Sequence, residues 1–317
     1  MSDKIVLLDG HSILNRAFYG VPDLSNAEGL HTNAVYGFLN ILFKILDEEQ
    51  PQYLAVAFDL HAPTFRHKMY DQYKGTRKPM PQELREQVPV IQEVLAAMDI
   101  EIVTKEGYEA DDILGTLGRK CEAEGMEVTI VSGDRDLLQL ATDHILIRIP
   151  KTVKRVTTIE NYHTAEVLEK YSLLPKQIID LKALMGDTAD NIPGLPGVGE
   201  KTALGLLTGV GGGLEVLYAS LDKVPELPIR GAKGLPAKLE ENREQAFLSY
   251  QLATIKTDVE LDVEIDKLYP GEPQREALIA LYRELEFKNW LDDLLREAKE
   301  AGENGEAETP IQAEVDY

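Results

Sequence analysis

The chain has one cysteine, Cys121, in 317 residues. A single thiol excludes an intrachain disulfide and points to a reducing, cytoplasmic setting. Cys121 falls in a helical pattern, where it reads as a small core or boundary residue. No apolar stretch reaches the length of a membrane-spanning helix. The first strand pattern begins within four residues of the start, which leaves no room for a signal peptide. Positive charge is also scarce, 33 Lys and Arg against 55 Asp and Glu, for a net of −22. That balance argues against a nucleic-acid partner, because such surfaces carry basic patches. Histidine is rare, and none is read at ligand spacing beside the acids, which excludes a typical zinc site.

The charge is segregated. The segment Glu297 to Tyr317 carries seven acids against one lysine. Nine further acids stand at five places, mostly after short apolar runs. They are Asp9 after IVLL, Asp59 after YLAVAF, Glu109, Asp111 and Asp112 in GYEADDILG, Asp134 and Asp136 in SGDRD, and Asp187 and Asp190 in GDTADN. Setting the tail and these nine aside leaves −7 of the −22. Conversely, Phe65 to Lys78 holds five basic residues, Arg66, Lys68, Lys74, Arg77 and Lys78, against Asp71 alone.

To about residue 174 the pattern alternates strand and helix. IVLLD, YLAVAFD, IEIVT, EVTIVS and ILIRI read as strands. Thr32–Leu46 (capped by Thr32), Pro81–Met98 and ADDILGTLGRKCEAEG read as helices. This spacing predicts an α/β fold with a mainly parallel sheet covered by helices, and an antiparallel edge near Ile145 and Val156. Residues 175–297 read as a helical subdomain with Gly-rich turns, a loop over Leu221–Pro236, and a last helix or two over 274–298 docked by Trp290. Residues 298–317 read as an acidic tail or linker. No repeat is present.

A lone Asp after a strand is more often a turn former or helix cap than a ligand. The joint pattern carries more weight, because the carboxyl ends of parallel strands are where ligands bind. Glu109 ahead of a helix, with Asp111 and Asp112 in its first turn, is expected to converge. Asp134 and Asp136, at i and i+2 in extended backbone, point the same way. Asp187 and Asp190 share a turn. Hard oxygen donors in this number suit Mg²⁺ or Mn²⁺, and two ions fit phosphoryl chemistry.

Residues 191–203 read NIPGLPGVGEKTA. Its G-x-G turn ahead of a helix is a helix-hairpin-helix signature, with Gly197, Gly199, Lys201 and Thr202 meeting phosphate without reading bases. In the basic segment Tyr70 and Tyr73 interleave with the cations. That suits stacking and phosphate contact, against the plainer reading of a solvated face.

Together, LLDGHSILNRAFY, AFD, FRHKMYDQYKGTRKPMP, GYEADDILG, SGDRDLLQL and GDTADNIPGLPGVGEKTA resemble the flap endonuclease and 5′-3′ exonuclease family. The resemblance covers about residues 3 to 295, and it is strongest to the N-terminal 5′-nuclease domain of bacterial DNA polymerase I. It implies a PIN-like 5′-nuclease fold with a helical arch at about 65–90 and a C-terminal helix-hairpin-helix. By match, Asp9, Asp59, Glu109, Asp111 and Asp112 surround a first metal, and Asp134, Asp136, Asp187 and Asp190 a second. Tyr73, Lys74 and Arg77 fall on arch positions, and Arg16, Arg66 and Lys78 join them as DNA contacts. Asp9, Asp111 and Asp134 with Lys74 and Arg77 carry catalysis, and K⁺ sits at the hairpin.

The implied reaction is phosphodiester hydrolysis at a single-strand/duplex junction, as in primer removal and DNA repair. The implied substrates are DNA with a 5′ flap, nicked or junction duplex, and strands that contain an RNA primer. The protein is expected to act as a monomer, away from membranes, with a polymerase following in the same polypeptide or as a stand-alone nuclease. Two other readings stay open: a non-catalytic DNA-binding module of the same fold, and a PIN-like ribonuclease.

Overall fold

A computed structural model describes residues 2–153 and 156–300. The expected tail therefore lies, from residue 301 on, outside the described residues; residues 298–300 close a helix.

Strand β1 (Lys4–Asp9) leads into α1 (Gly10–Gly20) and α2 (Asn33–Glu49), then β2 (Tyr53–Ala57). The segment up to β3 (Glu101–Val103) holds α3 (Phe65–Met69), α4 (Gln82–Arg85) and α5 (Gln87–Ala97). Next come α6 (Ala110–Ala123), β4 (Glu127–Val131), a 3₁₀ turn (Arg135–Leu140), β5 (Ile145–Val153) and β6 (Val156–Tyr162). The six strands lie in the order β3-β2-β1-β4-β5-β6, parallel except for β6 against β5. β1 leads outward to β2 and β3, and the chain then returns to the other side of β1 for β4. The crevice between the carboxyl ends of β1 and β4 is thus the switch point of an open sheet.

Two apolar layers cover the sheet. One packs α6 and the 3₁₀ turn on Ile5, Leu7, Val128 and Ile130; the other packs α1, α2 and α5 on Val6, Leu8 and Val56. The alternation Ile5/Val6/Leu7/Leu8 serves both faces, as a doubly covered parallel strand requires.

Pro81–Met98 is not one helix. Pro89 has no N–H to donate, and its ring would press on the carbonyl of Arg85, four residues back. The chain accordingly breaks at Glu86, between α4 and α5.

Helix α7 (Thr164–Tyr171) precedes the helical lobe, built from α8 (Gln177–Met185), α9 (Glu200–Val210), α10 (Leu214–Ala219), α11 (Leu235–Glu241) and α12 (Arg243–Ala253). Its own core gathers Leu184, Leu195, Leu206, Leu217 and Leu239. The boundary expected at residue 297 needs correction. Ile255 and Leu268 pack into the α6 layer, and α13 (Arg275–Glu284) and α14 (Lys288–Glu300) pack on the α2/α5 layer. Trp290 docks there among Tyr36, Phe43, Tyr282 and Phe287. The chain thus leaves the first lobe for the helical one and comes back.

Candidate metal centre and nucleic-acid interface

Four consecutive parallel strands deliver acids to one cleft of about 730 Å³. Asp9 ends β1, Asp59 follows β2, Glu109 and Asp111 open α6 after β3, and Asp134 follows β4. Asp9, Asp59 and Asp134 are each fixed by a backbone or hydroxyl donor. Asp9 caps α1, accepting from Ser12 N (3.0 Å) and from Ser132 Oγ (2.7 Å). Asp59 accepts from Ala110 N (2.7 Å) at the start of α6, and Asp134 accepts from Asp136 N (2.9 Å). The helix N-termini and caps orient these acids, so the plain reading of each Asp as a cap and its placement in the cleft hold together.

Burial and mutual repulsion dominate the electrostatics of Asp9 and Asp111. Burial, with Asp59 and Asp134 adding repulsion, pushes the Asp9 carboxyl up to about 7. Burial and then Asp134, Asp9 and Asp59 push Asp111 well above the carboxylate range. The donors are oxygens, the set that hard divalent cations take. These carboxylates therefore fit divalent metal.

A second group lies alongside. Carboxylate oxygens of Asp136, Asp187 and Asp190 fall within 4.8 Å of one another. The ammonium of Lys182, on α8, bridges Asp136 and Asp187 (2.5 Å to the latter). Burial alone would lower that ammonium, and Asp136 and Asp187 outweigh it and hold it above its usual range. Asp136, buried beside Asp134, is still pushed up to about 7, whereas half-buried Asp187 is held below its usual value by Lys182. Lys182 supplies part of the charge that a second cation would bring. It was missed in the sequence, where a lysine five residues before Asp187 in a helical run looks like surface.

The expected partition of acids is not clean. Asp134 lines the cleft with Asp9 and Asp111 and also repels Asp136, so it stands between the two groups. Asp112 leaves the cleft altogether. It is fully buried, accepts from Glu109 N (3.1 Å) in a capping box, and takes both arms of Arg66 (2.7 and 2.8 Å). Arg66, expected on DNA, is itself buried, and also donates to the carbonyls of Leu252 (2.9 Å) and Thr254 (2.7 Å). It ties the arch segment, α6 and the end of the helical lobe together.

The arch positions also depart from expectation. After α3 the chain is turn and coil to Pro81, so Tyr73, Lys74 and Arg77 are not on a helix. Lys74 adopts a left-handed φ of 55°, and Arg77 N donates to Lys74 O (3.0 Å), a turn that brings both cations inward. Lys74 meets Glu109 (2.5 Å) and Arg77 meets Asp190. Tyr73 is buried, its hydroxyl donating to Glu109 (3.0 Å) and reaching Asp190 at 3.4 Å. It links the two acidic groups and presents no face for stacking a base. Burial alone would lower the Lys74 ammonium, and Glu109 and Asp190 together keep it raised. Lys78 is exposed on the loop.

Arg16, on α1, lies across Gly133 at the cleft wall. A Cβ at Gly133 would stand 2.9 Å from Arg16 Nε, so any other residue there would push the guanidinium aside. Histidine does accompany the acids, contrary to expectation. His11, two residues after Asp9, lines the cleft with Nδ1 accepting from Asp59 N (3.2 Å), and burial lowers its pKa.

The hairpin follows directly from Asp190. Gly194 packs on Gly186 so closely that a Cβ would lie 2.1 Å from Gly186 N. Gly197 takes a φ of +70°, and Gly199 caps α9, where Lys201 and Thr202 occupy the first turn. Gly197, Gly199 and Lys201 are exposed, leaving the N-terminal amides of α9 open to an anion.

A parallel sheet whose switch point gathers acids, with a helix-hairpin-helix beside it, defines the class of metal-centred nuclease folds. Within that class the chain belongs to the 5′-3′ exonuclease family: the family's N-terminal resolvase-like domain matches residues 4–172 and its C-terminal SAM fold residues 173–276. It is 63% identical to DNA polymerase I of Pseudomonas aeruginosa over 313 residues, 99% of this chain and 34% of that protein. The chain thus spans about a third of the length of the curated relatives it matches. Among solved structures, T5 5′-exonuclease with bound divalent metal ions (zinc) shares the fold, with a TM-score of 0.60 at 21% identity, covering 92% of this chain and 98% of that one. The catalytic core of Rad2 in complex with DNA substrate does so with a TM-score of 0.61 at 19% identity, covering 93% and 92%. Among the described residues no helix is long and apolar enough to cross a membrane.

Proposed function

We propose that the chain is a structure-specific 5′-3′ exonuclease and flap endonuclease, acting on DNA near single-strand/duplex junctions in primer removal and repair. The observation that carries this reading is the convergence of Asp9, Asp59, Glu109, Asp111 and Asp134 in one cleft, whose lining residues Lys74 and Arg77 contact Asp190 just ahead of the hairpin. The DNA complexes among its structural relatives point the same way. The chain is read as the nuclease part of a polymerase I, in keeping with the greater length of its curated relatives, and as a monomer of the bacterial cytoplasm.

Mg²⁺ or Mn²⁺ is the cation proposed, held by Asp9, Asp59, Glu109, Asp111 and Asp134, with Asp136, Asp187 and Asp190 as the second set. Bound there, such ions activate water and offset charge on the phosphate. The hairpin holds duplex through the α9 amides and Lys201, with K⁺ against its backbone. Lys74 and Arg77 stand at the cleft wall within reach of a phosphate among the acids. They donate to its non-bridging oxygens as charge develops. Arg16 takes a neighbouring phosphate.

Incubation with a 5′-flap duplex and Mg²⁺, reading product length, tests the proposal. Cleavage next to the junction is the expected result. Tight binding without cleavage would leave a binding module, and equal cleavage of unstructured RNA a PIN-like ribonuclease. Lys74→Ala should lower kcat more than it raises the Kd for DNA. Loss of affinity alone would remove Lys74 from the chemistry.

A further inference from the structure

His11 is a cleft residue that the proposed reaction leaves unused. It is the second residue of α1, lines the cleft beside Asp9 and Asp59, and has a side chain 23% exposed. The ring is held on two sides. It stands edge to face on buried Phe58, with centroids 5.2 Å apart and planes at 80°. Its Nδ1 accepts from Asp59 N (3.2 Å), while Asp59 Oδ2 lies at 3.6 Å, beyond hydrogen-bond reach.

The bond from Asp59 N fixes where the ring hydrogen is. A nitrogen that accepts carries no hydrogen, so Nδ1 is bare and Nε2 bears the hydrogen. A ring with hydrogen on both nitrogens could not take the Asp59 amide. Nε2 cannot ligate a cation in this tautomer either, because a ligating nitrogen must be bare. His11 therefore offers a neutral N–H donor, neither a charge nor a metal ligand. Among the described residues Nε2 has no hydrogen-bond partner, and it is not sealed from solvent. The cations of the cleft are differently placed: Lys74 is taken by Glu109 (2.5 Å) and Arg77 by Asp190. A cation in the place of His11 would be drawn onto Asp59 in the same way. The neutral donor is left spare for an oxygen brought in from outside.

We infer that His11 contacts the substrate: its Nε2–H donates to a non-bridging oxygen of the phosphodiester held at the acids, while Nδ1 keeps the Asp59 backbone in place. The inference rests on the nuclease reading of the cleft. The plainer reading is a ring that only anchors Asp59. The two roles belong to different nitrogens, so substitution separates them.

His11→Asn keeps an acceptor near the Nδ1 position and removes the Nε2 donor. His11→Gln reaches the Nε2 position with an amide N–H and gives up the bond from Asp59 N. With Mg²⁺ and a 5′-flap duplex, His11→Asn should lower kcat/KM about 10- to 100-fold, the worth of a hydrogen bond to a charged oxygen. His11→Gln should restore most of that loss. The wild-type ring is read directly by ¹⁵N NMR. In chelator it should carry hydrogen on Nε2 alone. With Ca²⁺ offsetting the charge of the acids, the flapped duplex should shift the Nε2–H signal and leave Nδ1 bare. Hydrogen on Nδ1, or an Nε2–H signal that the duplex does not move, overturns the inference. So does His11→Asn cutting as well as His11→Gln or better, the pattern of a ring that only anchors Asp59. Failure of wild type to cut any flapped duplex overturns the nuclease reading instead.

Discussion

Asp9→Asn should make the metal-free protein more stable at neutral pH while abolishing cleavage. The rise of the Asp9 carboxyl from 3.8 to about 7 means that the folded state holds a proton that the unfolded chain releases. Between those two values the folded state binds more protons, so stability falls as pH rises through that window and is lowest above 7. At about 1.4 kcal/mol per pH unit, the cost of charging Asp9 in the fold is bounded at about 4 kcal/mol. Asp59 and Asp134 share the repulsion, so about half of that, ~2 kcal/mol, is the gain expected from the amide.

Little offsets this gain. The amide oxygen keeps the bond from Ser12 N (3.0 Å), and Asn caps a helix as well as Asp does. Ser132 Oγ, 2.7 Å from the other oxygen, can rotate to accept where it now donates. Urea unfolding in chelator from pH 5 to pH 8 measures the effect. Wild type should lose stability across the series, and Asp9→Asn should lose less, with a residual slope from Asp111 and Asp136. Adding Mg²⁺ should reverse the order, because ion binding stabilises only the protein that keeps the ligand. Equal pH slopes, or a variant less stable at pH 8, would refute the reasoning.

Arg66→Met should lower stability by about 3–5 kcal/mol, seen in thermal melts, because Asp112 would be left charged and buried without its partner. Lys182→Met should weaken the metal-free fold. Titration calorimetry should find the second group, Asp136, Asp187 and Asp190, binding Mn²⁺ more tightly, because the competing ammonium is gone; unchanged affinity would place the ion elsewhere. Lys201→Ala should weaken duplex binding and reduce the salt slope by about 1, measured by anisotropy over a salt series.

Much of this protein can be read from local pattern. The run IVLL at residues 5–8 is apolar at every position, as a strand covered on both faces requires, and its end fixes where Asp9 stands. The hairpin is equally local, since P-G-V-G-E-K-T encodes both turn and helix start. Which acids face the cleft is not local. Asp112 looks like its neighbour Asp111, yet a guanidinium 46 residues away takes it into the core. Arg66 and Tyr73 sit in a basic stretch that reads as a DNA surface, but both are buried against acids whose charge and hydrogen bonds they satisfy. Lys182 counts as an ordinary helix residue until α8 carries it between Asp136 and Asp187. Periodicity and turn chemistry act over a few residues, so the sequence by itself determined the elements and the supply of carboxylates. Burial of charge is settled by partners brought from distant segments, and only the tertiary structure decided which carboxylates remain open to a metal.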